Sequence, residues 1–523
     1  MEIGLIWYIV KYLVLAIFLL FAYNFYLFII RPFWYRSYYS KFSNVYVSEN
    51  FIPLVGDAKK YLEDTKNGKV RYYHQIEYAL KLSKYDLRLF TAGSMTIINV
   101  TSARAFKEFL EKIPEFFDRR SLAHKSFGKI CPLSMMFSRT SDNWKKRRES
   151  FLKEMGINFA SRFIPIMIDA AEERMLTWKQ GQKYDMLKEM NHITFKVITI
   201  ILFGKDVNEQ VGTIDYINKE GVIEKLPFAE FFIVICKDLM STNMNPRDIL
   251  FPFLAQYELV KPHSTTYTNR MELFRVLREY LKKSDDKEAV YYRLTELEKY
   301  DVDETFFDML GFLFAGHETS SHAVTSALYF MKKYPDTKTK LLEELKPFVK
   351  KSSTELKSIL TKDKINSLEY LYNIVKETLR IDAPANDVPA NDAIPYQCFK
   401  ETEILGVPIK AGQIMNISIV AQHYNPNIWK EPLKFIPERF DSESEYYMTS
   451  KENKTRAPMS WIPFSFGPRN CPGQSLALLE TKVILIYFLS KLDYKIDQEL
   501  IDSDYAYFSV ISQLKCEFEP IFE

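Results

Sequence analysis

The chain opens on an apolar run. From Ile3 to Ile30 nearly every residue is hydrophobic, broken by Lys11 and Asn24. Tyr12 to Ile30 alone would span roughly 28 Å as a helix, close to the ~30 Å core of a bilayer. The pattern predicts one transmembrane anchor, taken as residues 5–30. Residues 31–50 are aromatic and basic, as expected of a linker lying at a membrane interface. Ile52-Pro53-Leu54-Val55-Gly56-Asp57 reads as a rigid turn that fixes the exit from the membrane. Residues 86–100 then alternate as two short strands around an Ala92-Gly93 turn, and Ala103 to Leu110 takes a helical period. Long amphipathic helical patterns run on to about residue 380. Among them Asp303 to Lys333 is apolar on every side between Met309 and Gly316, the mark of a buried helix. Asp308, His317 and Glu318 interrupt it too often for a second membrane span. Residues 394–420 return to short strands, with turns at Gly406-Val407-Pro408 and Ala411-Gly412. There is no internal repeat and no Gly/Ser linker. Residues 51–523 are therefore expected to form one domain, mainly α with small β-sheets.

Composition narrows the classes. Hydrophobic residues make up 47% of the 523 and aromatics 15%, enough for a sizeable core. Lysine and arginine number 70 against 67 acidic residues, a net charge of +3 that implies no nucleic-acid partner. The five cysteines (131, 236, 398, 471 and 516) are odd in number, far apart and without a C-x-x-C. That spacing excludes a disulfide framework or a standard zinc knuckle and fits a reducing compartment. Arg31, Arg36 and Lys41 follow the apolar run, while Met1 and Glu2 precede it. By the positive-inside rule the chain is a single-pass protein with its bulk in the cytosol. A cleaved signal peptide would need a shorter apolar core, preceding basic residues and a small-residue cleavage site, which are not found. A buried helix of a soluble protein is the other alternative.

The chemistry concentrates at Cys471, in Phe464-Ser465-Phe466-Gly467-Pro468-Arg469-Asn470-Cys471-Pro472-Gly473. Glycine lets backbone approach a flat cofactor, because it has no Cβ. Arginine and the helix expected just after Cys471 both favour an anionic sulfur and should lower the thiol pKa. The stretch, of form F-x-x-G-x-R-x-C-x-G, resembles the heme-binding signature of the cytochrome P450 family. Three further segments resemble that family's motifs in order. Ala315-Gly316-His317-Glu318-Thr319-Ser320, about 150 residues upstream, is similar to its oxygen-binding motif. Glu377-Thr378-Leu379-Arg380 with Pro437-Glu438-Arg439-Phe440 resembles its E-x-x-R and P-E-R-F pair. Trp144-Lys145-Lys146-Arg147-Arg148 matches its W-x-x-x-R.

The resemblance implies a cytochrome P450 fold behind one N-terminal transmembrane helix, of the microsomal type, with the domain on the cytosolic face of the endoplasmic reticulum. It implies heme b with Cys471 as iron ligand, and Trp144, Arg148, Ala315, Phe464, Gly467, Arg469 and Gly473 as its contacts. Thr319 would attend the oxygen site, and Glu318 would pass protons. Glu377, Arg380 and Arg439 would form a buried structural network. O2 would be the co-substrate, with NADPH used indirectly through a separate flavin reductase; cytochrome b5 is a further candidate donor. The substrate would be an apolar small molecule. A heme-thiolate isomerase or dehydratase, or a membrane heme carrier, remains open. Many relatives carry an arginine for a heme propionate about ten residues after the E-x-x-R pair, but residues 383–392 hold no basic side chain. His423, water or the Arg119/Arg120 pair are the candidates to replace it. Lys145, Lys146 and Arg147 are read as a docking surface for an acidic electron donor, with a plain solvated helix face as the alternative. Gly311, on the helical face of Thr319 and Ala315 with Phe307 beyond, is read either as making room for a bulky substrate or as a helix-packing glycine. The substrate pocket is expected from loops near 114–137, 207–247, 383–390 and 506–513.

Overall fold

The computed structural model describes residues 2–57, 59, 79–120, 126–242, 263–384, 396–502 and 516–522. Helix α1 (Glu2–Phe25) runs through a π-helical turn (Tyr26–Ile30) into α2 (Arg31–Tyr39). Trp7–Tyr39 forms one helix long and apolar enough to cross a membrane, its side chains mostly exposed. The first part of the expected linker is thus helical and continuous with the anchor.

The lower end of this helix is built into a sheet. Strands β1 (Val45–Val47), β2 (Leu87–Ala92), β3 (Met95–Val100), β4 (Phe117–Arg119), β5 (Tyr396–Cys398) and β6 (Ile414–Ile417) form a six-stranded sheet in the order β1-β2-β3-β6-β5-β4. Strands β2 and β3 make the expected hairpin about Ala92-Gly93. The 52–57 turn clamps the anchor to that hairpin. Arg36 pairs with Asp57 at 3.0 Å, and Asp57 accepts from Thr91 N at 2.8 Å. Gly56 lies at φ +78°, and a Cβ there would fall 2.2 Å from Thr91 O, so the crossing admits glycine alone. Leu27, Phe28 and Tyr39 are buried at the junction.

Most of the remaining chain packs as helices around one core. The relevant ones are α3 (Ala103–Glu111), α4 (Asp142–Met155), α5 (Met186–Phe203), α6 (Phe228–Thr242), α7 (Val302–Lys333), α8 (Glu369–Ile381) and α9 (Gln474–Lys491). Asp301 caps α7 by accepting from Glu304 N, and the helix then runs unbroken through the core. Helix α5 crosses it at Gly316, where a Cβ would lie 3.0 Å from Ile198 Cγ1. The helix continues through this point, and the glycine serves a close helix crossing. Periodicity also overlooks a hairpin of Thr213–Ile217 and Ile223–Pro227, which is short and largely exposed.

Candidate active site

The loop carrying Cys471 is closed on itself. Cys471 N donates to Phe464 O at 2.9 Å, and Asn470 N donates to Gly467 O at 3.1 Å. Gly467 sits at φ +77°, with Leu110 of α3 3.0 Å from where its Cβ would be. A side chain there would be strained and crowded. Helix α9 begins directly after Gly473, as the sequence predicts. The main-chain N–H of Gly473 faces the thiol and, with the Arg148 charge, favours its anion. Burial outweighs both and pushes the Cys471 thiol above its ordinary range, contrary to the lowered pKa expected from sequence.

A cluster of guanidinium groups flanks this loop. Arg148 Nη2 donates to Asn470 O at 2.7 Å and to its Oδ1 at 2.5 Å. Arg469 lies over the Trp144 ring, 3.7 Å from its centroid, and pairs with buried Asp118 at 2.9 Å. The Trp144 indole N–H donates to Met135 O at 3.0 Å. Arg119 stacks on the Tyr396 ring at 4.3 Å. Arg148 and Arg469 both feel the Arg119 charge, and burial lowers both their pKa values, that of Arg469 to about 10. Desolvated cations this close together are favoured by a bound anion.

Helix α7 carries the second half. Thr319 Oγ1 turns back and donates to Ala315 O at 2.6 Å, as expected of a mid-helix threonine. Burial pushes the Glu318 carboxyl up to about 7, against the charges of Lys237 and His322. Its neighbour His317 is fixed by Nδ1 on Leu313 O at 2.7 Å and by the Phe195 and Phe232 rings; burial lowers its pKa to about 4. Glu480, on α9, lies within hydrogen-bonding reach of Ser320, the residue after Thr319. Cys471, Ala315, Glu318 and Thr319 all keep part of their surface open inside the protein.

Behind the loop, Glu377, Arg380 and Arg439 are fully buried. Glu377 accepts two bonds from Arg380 (2.8 and 2.9 Å), one from Arg439 (3.0 Å) and one from Ile436 N (2.9 Å). His423 belongs to this network: Nδ1 faces Arg380 O at 3.0 Å and Nε2 accepts from Ile462 N at 2.9 Å. Both ring nitrogens are engaged, so His423 is not the substitute for the missing arginine.

Residues 49–513 match the family model for cytochrome P450. The chain belongs to the cytochrome P450 family. Among its relatives, a (1S)-1-hydroxy-luvungin A synthase of Citrus sinensis is 32% identical over 347 residues, 64% of this chain and 62% of that protein. Cytochrome P450 3A9 of Rattus norvegicus is 27% identical over 448 residues, covering 81% of this chain and 80% of the relative. Cytochrome P450 3A41 of Mus musculus is 26% identical over 456 residues, covering 81% and 84%. As a P450 the chain is a monooxygenase of the oxidoreductase class, and its N-terminal helix is compatible with membrane anchoring.

The residues of this P450 fit a heme. Arg469 Nε and the Tyr396 hydroxyl are buried with no hydrogen-bond partner among the described residues, and both lie in the guanidinium cluster. Such a set suits the carboxylates of a flat dianionic group whose metal takes the Cys471 sulfur.

Two sequence readings are corrected here. Arg147 does not belong to a docking face. It is buried, donates to Asp308 at 3.0 Å and approaches Glu304 at 3.2 Å, joining α4 to α7; Lys145 and Lys146 alone stay exposed. The open depression on the cysteine side, of about 540 Å³, instead presents Lys376 and Arg456 among aromatic residues. Gly311 opens no cavity either. A Cβ there would lie 2.9 Å from Ser134 Oγ, so it is a packing glycine against the 131–134 segment. Sequence reasoning missed Asp118, Asp308 and Tyr396, whose roles depend on contacts remote in sequence. Residues 121–125, 243–247, 385–392 and 506–513 of the expected pocket and propionate stretches lie outside the described residues.

Proposed function

We propose that this P450 is a heme-thiolate monooxygenase anchored in the endoplasmic reticulum membrane with its domain in the cytosol. It inserts one atom of O2 into an apolar small molecule (a lipid, sterol, terpenoid or xenobiotic) and releases the other as water, consuming two protons and two electrons. The electrons come from NADPH through a separate flavin reductase, with cytochrome b5 a candidate second donor. The observation that supports this best is the pairing of two helices. Helix α9 starts at the Cys471 loop and meets α7 beside Thr319 through Glu480 and Ser320. Bound heme b would supply the O2 chemistry, and a thiolate ligand favours O–O cleavage.

Cys471 would ligate the iron. Trp144, Arg148 and Arg469 would line the carboxylate side, while Phe464, Gly467 and Gly473 shape the loop. Ala315 would leave room beside Thr319, whose hydroxyl, donating to Ala315 O, has lone pairs left to accept a proton-bearing partner. Glu318, near half-ionised at neutral pH, can hold and release that proton.

The deciding experiment measures substrate-dependent O2 consumption with and without NADPH and a flavin reductase. Turnover that needs neither would favour the isomerase or dehydratase class and sink this reading. The role of Glu318 is tested separately by a pH profile. Proton donation requires the acid form, so wild-type turnover should fall as pH rises through about 7. Glu318→Gln should flatten that profile and lower the rate roughly a hundredfold. The same raised pKa costs the wild type stability as pH rises through about 7, so the glutamine variant should lose less stability over that window.

A further inference from the structure

We infer that the phenol of Tyr396 is a heme-propionate ligand of this P450, taking the part of the basic side chain that residues 383–392 lack. This deepens the heme-thiolate reading and rests on it.

Tyr396 opens strand β5, and the β4–β5 pairing sets it directly opposite Arg119. Its residue is 2% exposed. The ring is held from two sides, by the Phe109 edge at 5.1 Å and by the Arg119 guanidinium at 4.3 Å. The hydroxyl is nonetheless without a partner among the described residues. A buried hydroxyl left unpaired is costly, and one fixed inside a cation cluster has the geometry of a donor awaiting an anion. Arg148 and Arg469 both lie within electrostatic reach of it. The protein's own carboxylate nearby, Asp118, is already engaged: it accepts from Thr140 N at 2.7 Å, Arg119 N at 2.8 Å, Thr140 Oγ1 at 3.1 Å and Arg469 at 2.9 Å. A ligand carboxylate would satisfy the Tyr396 hydroxyl where Asp118 does not. A heme carboxylate on the Cys471 side meets that requirement.

The test is Tyr396→Phe in the heme-loaded protein. Because the hydroxyl is unpaired without heme, the heme-free variant should unfold at the same or a higher urea concentration than wild type. With heme, it should lose the cofactor to excess apomyoglobin roughly tenfold faster, the scale of one hydrogen bond to a charged group. Its propionate bending mode in the resonance Raman spectrum should shift, and Tyr396→Arg should restore retention. With heme dimethyl ester, wild type and Tyr396→Phe should release the cofactor at equal rates. Equal retention of free heme with an unshifted propionate mode would overturn the inference, as would a heme-free variant that fails to fold. A wild-type protein lacking the thiolate Soret band would instead overturn the heme-thiolate reading.

Discussion

Cys471→Ala should abolish the long-wavelength Soret band expected of the reduced carbon monoxide complex, and oxygen insertion should disappear with it. The side chain at 471 is small and only half-buried, so its loss leaves the core intact. The loop keeps its shape through main-chain bonds, Cys471 N to Phe464 O and Asn470 N to Gly467 O, which alanine preserves. The effect is thus confined to the ligand. Removing an outer partner of a metal site costs about 10–100-fold, and removing the proposed iron ligand itself should cost more. Absorption spectra of the reduced carbon monoxide adducts, set beside urea melts of both proteins, separate ligand loss from unfolding. A retained band in a folded variant would refute Cys471 as the ligand.

Glu377→Ala should yield a protein that unfolds at far lower urea and takes up little heme. Glu377 is the shared acceptor for Arg380 and Arg439, and all three are fully buried. Without it two desolvated guanidinium groups face each other with no carboxylate between them, left with neutral partners such as His423 O and Glu431 O. Breaking a buried ion pair costs about 3–5 kcal/mol, a large share of the roughly 5–15 kcal/mol that keeps a domain folded. The damage should reach the Cys471 loop through Arg380, His423 and Ile462 N, because His423 anchors the segment that leads into Phe464. Urea midpoints and heme stoichiometry measure it. A variant with wild-type values for both would show the network to be dispensable.

What could be read from the residues was whatever lies along one stretch of chain. The Cys471 loop is a local ten-residue turn, and α7 is a single period, so both emerge from pattern alone. Arg147 was also legible: positions 144, 147 and 148 share one helical face, so a buried Trp144 carries Arg147 inward with it. Pairings across the fold were not. That Ser134 fills the space beside Gly311, or that Tyr396 faces Arg119, depends on segments joined only by packing and strand register. The overlooked hairpin at Thr213–Pro227 is announced by one strand alone: its first strand alternates, but its second is nearly all exposed and gives no matching pattern.

The junction between anchor and domain carries a mechanical consequence. With Arg36 locked to Asp57 and the 52–57 turn threaded against Thr91, the membrane helix behaves as a mast stepped into the sheet. In a bilayer its tilt would be the domain's tilt. The depression bearing Lys376 and Arg456 would then stand at a set height and bearing above the lipid, whatever the domain meets there.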